Sequence, residues 1–165
     1  MSTLRVDSLQ GQTADGTNRY VVQTLSSTGL TQQVIITGSY EDINDLSVVI
    51  TPKFNTSKIL IMVHVYASYT DAGMLRIMRD STRIPNNDQG SADNKNGFAM
   101  VRHAADNEGN MYSFTHLDSP STTNAITYKV QACREGGSGD MAINRRMSNT
   151  NYSLCSSITV QEIAQ

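Results

Sequence analysis

The side chains of this sequence that could do chemistry are few and scattered. His64, His103 and His116 are the imidazoles, Asp106, Glu108 and Asp118 are carboxylates near turns, and Cys133 and Cys155 are the two thiols. Zinc hydrolysis or serine acyl transfer would require spacings such as His-Glu-x-x-His or Gly-x-Ser-x-Gly, which bring ligands or nucleophile and base together, and neither occurs. The Gly-rich run Glu135-Gly136-Gly137-Ser138-Gly139-Asp140 lacks the Lys-Ser/Thr ending of a phosphate loop and opens no helix. Asp88 and Asp93 sit among asparagines without the Asp-x-Asp-x-Asp-Gly pattern of a calcium loop, so they read as solvated. A glycoside-cleaving pair of carboxylates is defined by its separation in space, which spacing along the chain does not supply. The expectation is a protein that is not an enzyme and holds neither cofactor nor metal.

Composition narrows the partners. The 165 residues are 38% hydrophobic and only 17% charged, with a formal net charge of -2, no tryptophan and no Lys/Arg run. That excludes the basic stripe of a nucleic-acid binder. No apolar run approaches the about 18 residues of a membrane span, and Met1 to Gln10 lacks the apolar core of a signal peptide, so a soluble product made in the cytoplasm is expected. Two cysteines without Cys-x-x-Cys spacing read as reduced, packed thiols.

The elements that would position any binding residue are strands. In residues 57–84, Ile59, Ile61, Val63 and Val65 alternate with Lys58, Leu60, Met62, His64 and Tyr66. Asp71-Ala72-Gly73 reverses the chain, a second extended run follows from Met74, and Arg79-Asp80-Ser81-Thr82 has the composition of a tight turn, which together predict a central hairpin. Runs at 32–37, 46–51, 98–102, 110–117, 124–133, 141–145 and 157–163 are further strand candidates. The total is about nine or ten short strands with no helical periodicity, which predicts an all-β antiparallel β-sandwich or jelly roll over 31–165.

Two segments stand apart from this pattern. Residues 1–30 carry a short apolar alternation, Leu4, Val6 and Leu9, followed by the polar stretch 11–19, and are expected to form an extended N-terminal attachment arm. Residues 85–97 contain no large apolar side chain and predict a long exposed loop, the first place to look for a binding surface.

The opening MSTLRVDSLQ, the block ITPKFNTSKILIMV with GMLRIMRDST behind it, the phrase LDSPSTTNAITYKVQ and the final SSITVQEIA resemble the tail-fibre-like appendage proteins of tailed bacteriophages. The resemblance implies a virion protein whose C-terminal β domain forms a homotrimer and whose N-terminal arm joins other virion proteins. A small knob or decoration suits the short linker at 11–19 better than a long fibre. Uncharged polar loops would suit recognition of a host-surface glycan, strengthened by three copies. The residues singled out for receptor binding are Tyr69, Asn86, Asn87, Asp88, Gln89, Asp93 and Asn94. A capsid or neck decoration or adaptor without host binding is the alternative, and a polysaccharide-cleaving tail spike a weaker one.

Overall fold

The computed structural model of the chain describes residues 19–69, 71–86, 89–92, 96–103, 108–135 and 140–165. These form eleven strands: β1 (Val21–Gly29), β2 (Gln33–Ile35), β3 (Glu41–Ile50), β4 (Lys58–Ser68), β5 (Gly73–Arg79), β6 (Thr82–Ile84), β7 (Ala99–Val101), β8 (Asn110–Asp118), β9 (Ile126–Arg134), β10 (Met141–Ile143) and β11 (Ser156–Ile163). No helix occurs among the described residues.

The strands build a sandwich of two antiparallel sheets. The first sheet runs β1-β11-β4-β10-β2, with β8 on the other edge of β4; the second runs β3-β9-β5-β6, with β7 also on β5. Period-two alternation supplies the core. Ile59, Ile61, Val63 and Val65 of β4 and Ile158 and Val160 of β11 point inward and meet Leu75 and Ile77 of β5, Tyr128 and Val130 of β9 and Val48 and Ile50 of β3 in one cluster. The sandwich and the inward set of β4 are therefore as the sequence predicts.

The predicted central hairpin is not a hairpin. β4 lies in the first sheet and β5 in the second, so Asp71-Ala72-Gly73 carries the chain across the sandwich instead of pairing its neighbours. Alternation reports which side chains share a face and says nothing of which strands bond. At this corner Ala72 N–H bonds Asp71 Oδ1 at 2.8 Å, and Glu135 N–H donates to the Ala72 carbonyl at 2.7 Å. Gly73 lies against Met141 Cε, in space that a Cβ would need. The hairpin nearby is β5–β6, closed by Asp80-Ser81 with Asp80 at φ 53°. That is the tight turn its composition predicts.

The arm boundary also moves. β1 pairs with β11 from Val21 to Gly29, so residues 21–29 belong to the sandwich. Polar Ser and Thr side chains hid this edge strand, because its place is secured by backbone bonds and not by apolar alternation. Side chains close its gap to β3 across the sheets: Gln23 Nε2 donates to Thr51 O at 2.9 Å and Ser27 Oγ to Asp45 O at 2.5 Å. Leu4, Val6 and Leu9 lie outside the described residues.

Two buried polar clusters hold loops to this frame. Asn144, fully buried at φ 59°, donates from Nδ2 to Gly29 O at 3.1 Å and Thr31 O at 3.0 Å, and accepts from Ser156 Oγ at 2.6 Å. Glu162, also fully buried, accepts from Gln23 Nε2 at 2.6 Å and from the backbone N–H of Lys53 at 2.7 Å, pinning the β3–β4 connection.

Candidate binding surface

The exposed loop predicted at 85–97 is an interruption in a sheet edge. β6 and β7 both pair antiparallel with β5, at Ile77–Arg79 and Gly73–Leu75 respectively, so they lie end to end along one edge with the loop between them. Phe98 N–H bonds the Leu75 carbonyl at 2.6 Å where the chain returns. The loop base is anchored through Asn96, which is 7% exposed: its Oδ1 accepts from Gly90 N–H at 2.7 Å, its Nδ2 donates to Ala92 O at 3.1 Å, and its carbonyl accepts from Tyr40 Oη at 2.6 Å. Tyr40 in turn lies under the Arg76 guanidinium, 3.6 Å from ring centroid to carbon. A rigid sheet edge thus presents the loop, whose described residues Asn86, Gln89, Ser91 and Ala92 are exposed.

Of the residues singled out for binding, Asn86 and Gln89 are exposed in this loop, and Asn86 Oδ1 accepts from Arg83 Nη2 at 3.0 Å. Asn87, Asp88, Asp93 and Asn94 lie outside the described residues. Tyr69 is a correction. It is 0% exposed and belongs to the core cluster, with its carbonyl accepting from His103 N–H at 2.8 Å, so it offers no surface to a ligand. Burial and the neighbouring Asp71 carboxylate push its phenol above the usual value. A tyrosine at a strand end reads as loop from sequence, but here the crossing between sheets turns its ring inward.

The histidines do not converge. His64 projects from the outer face of the first sheet, with Nδ1 2.8 Å from Ser113 Oγ. His116, paired opposite Ile61, points inward and meets Phe98 edge to face at 6.1 Å, and His103 lies 3.0 Å from Tyr112 Oη through Nε2. Glu108 and Asp118 stand at opposite ends of β8, on the order of 30 Å apart at the rise of a strand, far beyond the span of a glycosidase pair. Asp106 lies outside the described residues. No group of three His, Cys, Asp or Glu among the described residues could hold a metal ion. Cys133 is buried as expected, but Cys155 is exposed, a correction to the expectation of two packed thiols. No described helix is long and apolar enough to cross a membrane.

Asp118 has a structural partner set instead. Its carboxylate receives both Arg79 Nη1 contacts, at 3.0 and 2.9 Å, and the Tyr128 hydroxyl at 2.7 Å. Burial, reinforced by this carboxylate, pushes the Tyr128 phenol far up, so it stays a proton donor.

The two outward sheet faces differ in kind. On the second sheet, Lys129 Nζ bonds Asp42 Oδ2 at 2.8 Å, Gln131 Nε2 bonds Asp42 Oδ1 at 2.6 Å, and Arg76 Nε bonds Gln131 Oε1 at 2.8 Å. Burial raises the Asp42 carboxyl, but the Lys129 and Gln131 contacts outweigh it and hold it below its ordinary value. The pair is solvated, so Lys129→Ala should change unfolding free energy by less than about 1 kcal/mol in urea titration. A larger loss would place the face out of solvent. The first sheet's outer face carries Leu60, Met62 and Tyr66 beside Met111 and Leu117, which are 49% and 47% exposed, with serine and threonine between them. Sequence alternation identifies the outward set of β4; which residues flank it, and that the resulting face is bare of charge, follow only from the strand pairing.

No protein-family model matches the sequence, and no curated protein matches it significantly.

Proposed function

We propose that this chain is a structural protein of a bacteriophage virion, a small tail-fibre-like or spike-like homotrimer of jelly-roll-like sandwiches that binds a host-surface glycan. It works by recognition, not by catalysis. The observation that supports this reading is the loop at 85–97: a polar, amide-rich segment set into the edge of a rigid sheet, fastened at its base by Asn96 and Tyr40, with Asn86 and Gln89 outward. Amide side chains supply both donors and acceptors, which suits the hydroxyls of a sugar, and weak single sites gain from display in several copies. The arm at 1–20 would join other virion proteins.

The test is glycan-array binding by the purified chain and by the Asn86→Ala, Gln89→Ala double variant. The variant should bind at least about tenfold more weakly, the equivalent of roughly 1.4 kcal/mol, while its melting temperature stays within a few degrees. Equal binding by both proteins would remove the loop from recognition.

The broad uncharged face of the first sheet favours a second reading, a capsid or neck decoration that meets its lattice through that face and binds no host molecule. Quantitative mass spectrometry of purified particles separates the two. A few tens of copies per virion at most support the tail appendage, and hundreds support decoration.

A further inference from the structure

We infer that the outer face of the first sheet is the surface through which copies of this chain meet. The inference rests on the homo-oligomer in the proposed function and identifies which of the molecule's surfaces forms it.

Three properties of the face support a copy of the chain as occupant. The first is charge. Across β8, β4, β11 and β1, the outward positions between Leu60 and Tyr66 and their paired neighbours carry no carboxylate and no Lys or Arg; Lys58 sits at the rim. Two such faces meet without like-charge repulsion and without desolvating an ion, whereas the second sheet's face would bury Asp42, Lys129 and Arg76.

The second is self-complementarity. Ser113, Thr115, Ser157 and Thr159 alternate with the apolar residues in the pleat, and a hydroxyl both donates and accepts, so this face can satisfy the same face of neighbouring copies gathered around one axis. Leu60, Met62, Met111 and Leu117 supply the apolar, charge-free centre common to subunit contacts.

The third is size. Four strands about 4.8 Å apart, over nine residues rising about 3.3 Å each, give a footprint of roughly 570 Å² before side-chain relief, on the scale of the about 800 Å² per partner in stable interfaces. β8 borders this face with its far edge unpaired among the described residues. It lacks the lysine or proline that usually guards an edge, so a copy lying over the face would shield it too.

The experiment is sedimentation velocity of the full chain, its Met62→Glu and Met62→Lys variants, and an equal mixture of the two variants. Met62 stands at the centre of the face, paired with Thr159 on one side and Thr115 on the other. The wild type should run at a multiple of 18.1 kDa. Each variant should run as a monomer with its strand circular dichroism intact and require at least about 100-fold higher concentration to associate. Mixing them should restore association in part, because glutamate then meets lysine between unlike copies. Oligomeric variants would overturn this inference and leave the proposed oligomer standing on another surface. A monomeric wild type would overturn both. Loss of particle incorporation by Met62→Glu from a monomeric wild type would give the face to a different virion protein. If the Met62 variants lose their strand signal, Thr115→Glu and Thr115→Lys, at an exposed position of the same row, are read by the same criteria.

Discussion

Asp118→Ala is expected to lower the unfolding free energy by about 3 kcal/mol, a fall of roughly 6–12 °C in melting temperature for a chain of this length. The carboxylate joins two groups: the Arg79 guanidinium, through two contacts near 3 Å, and the buried Tyr128 hydroxyl at 2.7 Å. Removing it leaves the hydroxyl buried and unpaired, and strands a cation whose side chain is 28% exposed. Water reaches that cation, so the loss falls at the low end of what breaking a buried pair produces. Tyr128→Phe alone should cost about 1.5–3 kcal/mol, the loss of one hydrogen bond to a charged acceptor. In the Asp118→Ala background the same change should be neutral or stabilising, because it removes the orphaned hydroxyl. Calorimetry of the two single variants and the double variant measures this coupling. Additive losses would show that the two side chains act independently.

Glu162→Ala should destabilise by about 3 kcal/mol at neutral pH, since hydrogen bonds to a buried charge contribute about 1.5–3 kcal/mol each and their donors would be left unpaired. Those donors are Gln23 Nε2 and the N–H groups of Lys53 and Phe54. Burial raises the carboxyl's pKa, but these bonds together outweigh it and hold the folded value below the ordinary 4.5. A group depressed on folding stabilises above its unfolded pKa. Its contribution is therefore present above 4.5 and is lost as the pH falls through the lower folded value. Urea titrations above and below pH 4.5 should show a steeper acid loss for the wild type than for Glu162→Gln, which carries no titratable group there. Parallel acid limbs would mean that another carboxylate governs acid unfolding.

Glu162 also shows what alternation can reveal when followed without regard to polarity. It shares parity with Ile158 and Val160, so the strand itself places it inward, against the habit of reading glutamate as solvent-facing. Asn144 carries no such mark: its burial follows from a left-handed turn after β10 and from two carbonyls that approach from the β1–β2 connection. Tyr69 misleads in the opposite sense, an aromatic at the end of a strand whose chain then crosses the sandwich and takes the ring with it. The loop at 85–97 was legible because thirteen residues without a large apolar side chain have nothing to bury.

For this protein the sequence alone determined the all-β class, the inward row of β4, the tight turn at Asp80-Ser81 and the exposed loop. Each depends on side-chain period or on the chemistry of a few adjacent residues. Only the tertiary structure decided that β4 and β5 belong to different sheets, that Val21–Gly29 completes the first sheet, that Asp118 closes on Arg79 and Tyr128, and that one outer face is bare of charge while the other is laced with it. Those outcomes depend on backbone pairing between segments far apart in the chain, Val21 with Ile163 at the extreme. Strand pairing is made by N–H and C=O groups that every residue carries, so the order of side chains does not encode it locally.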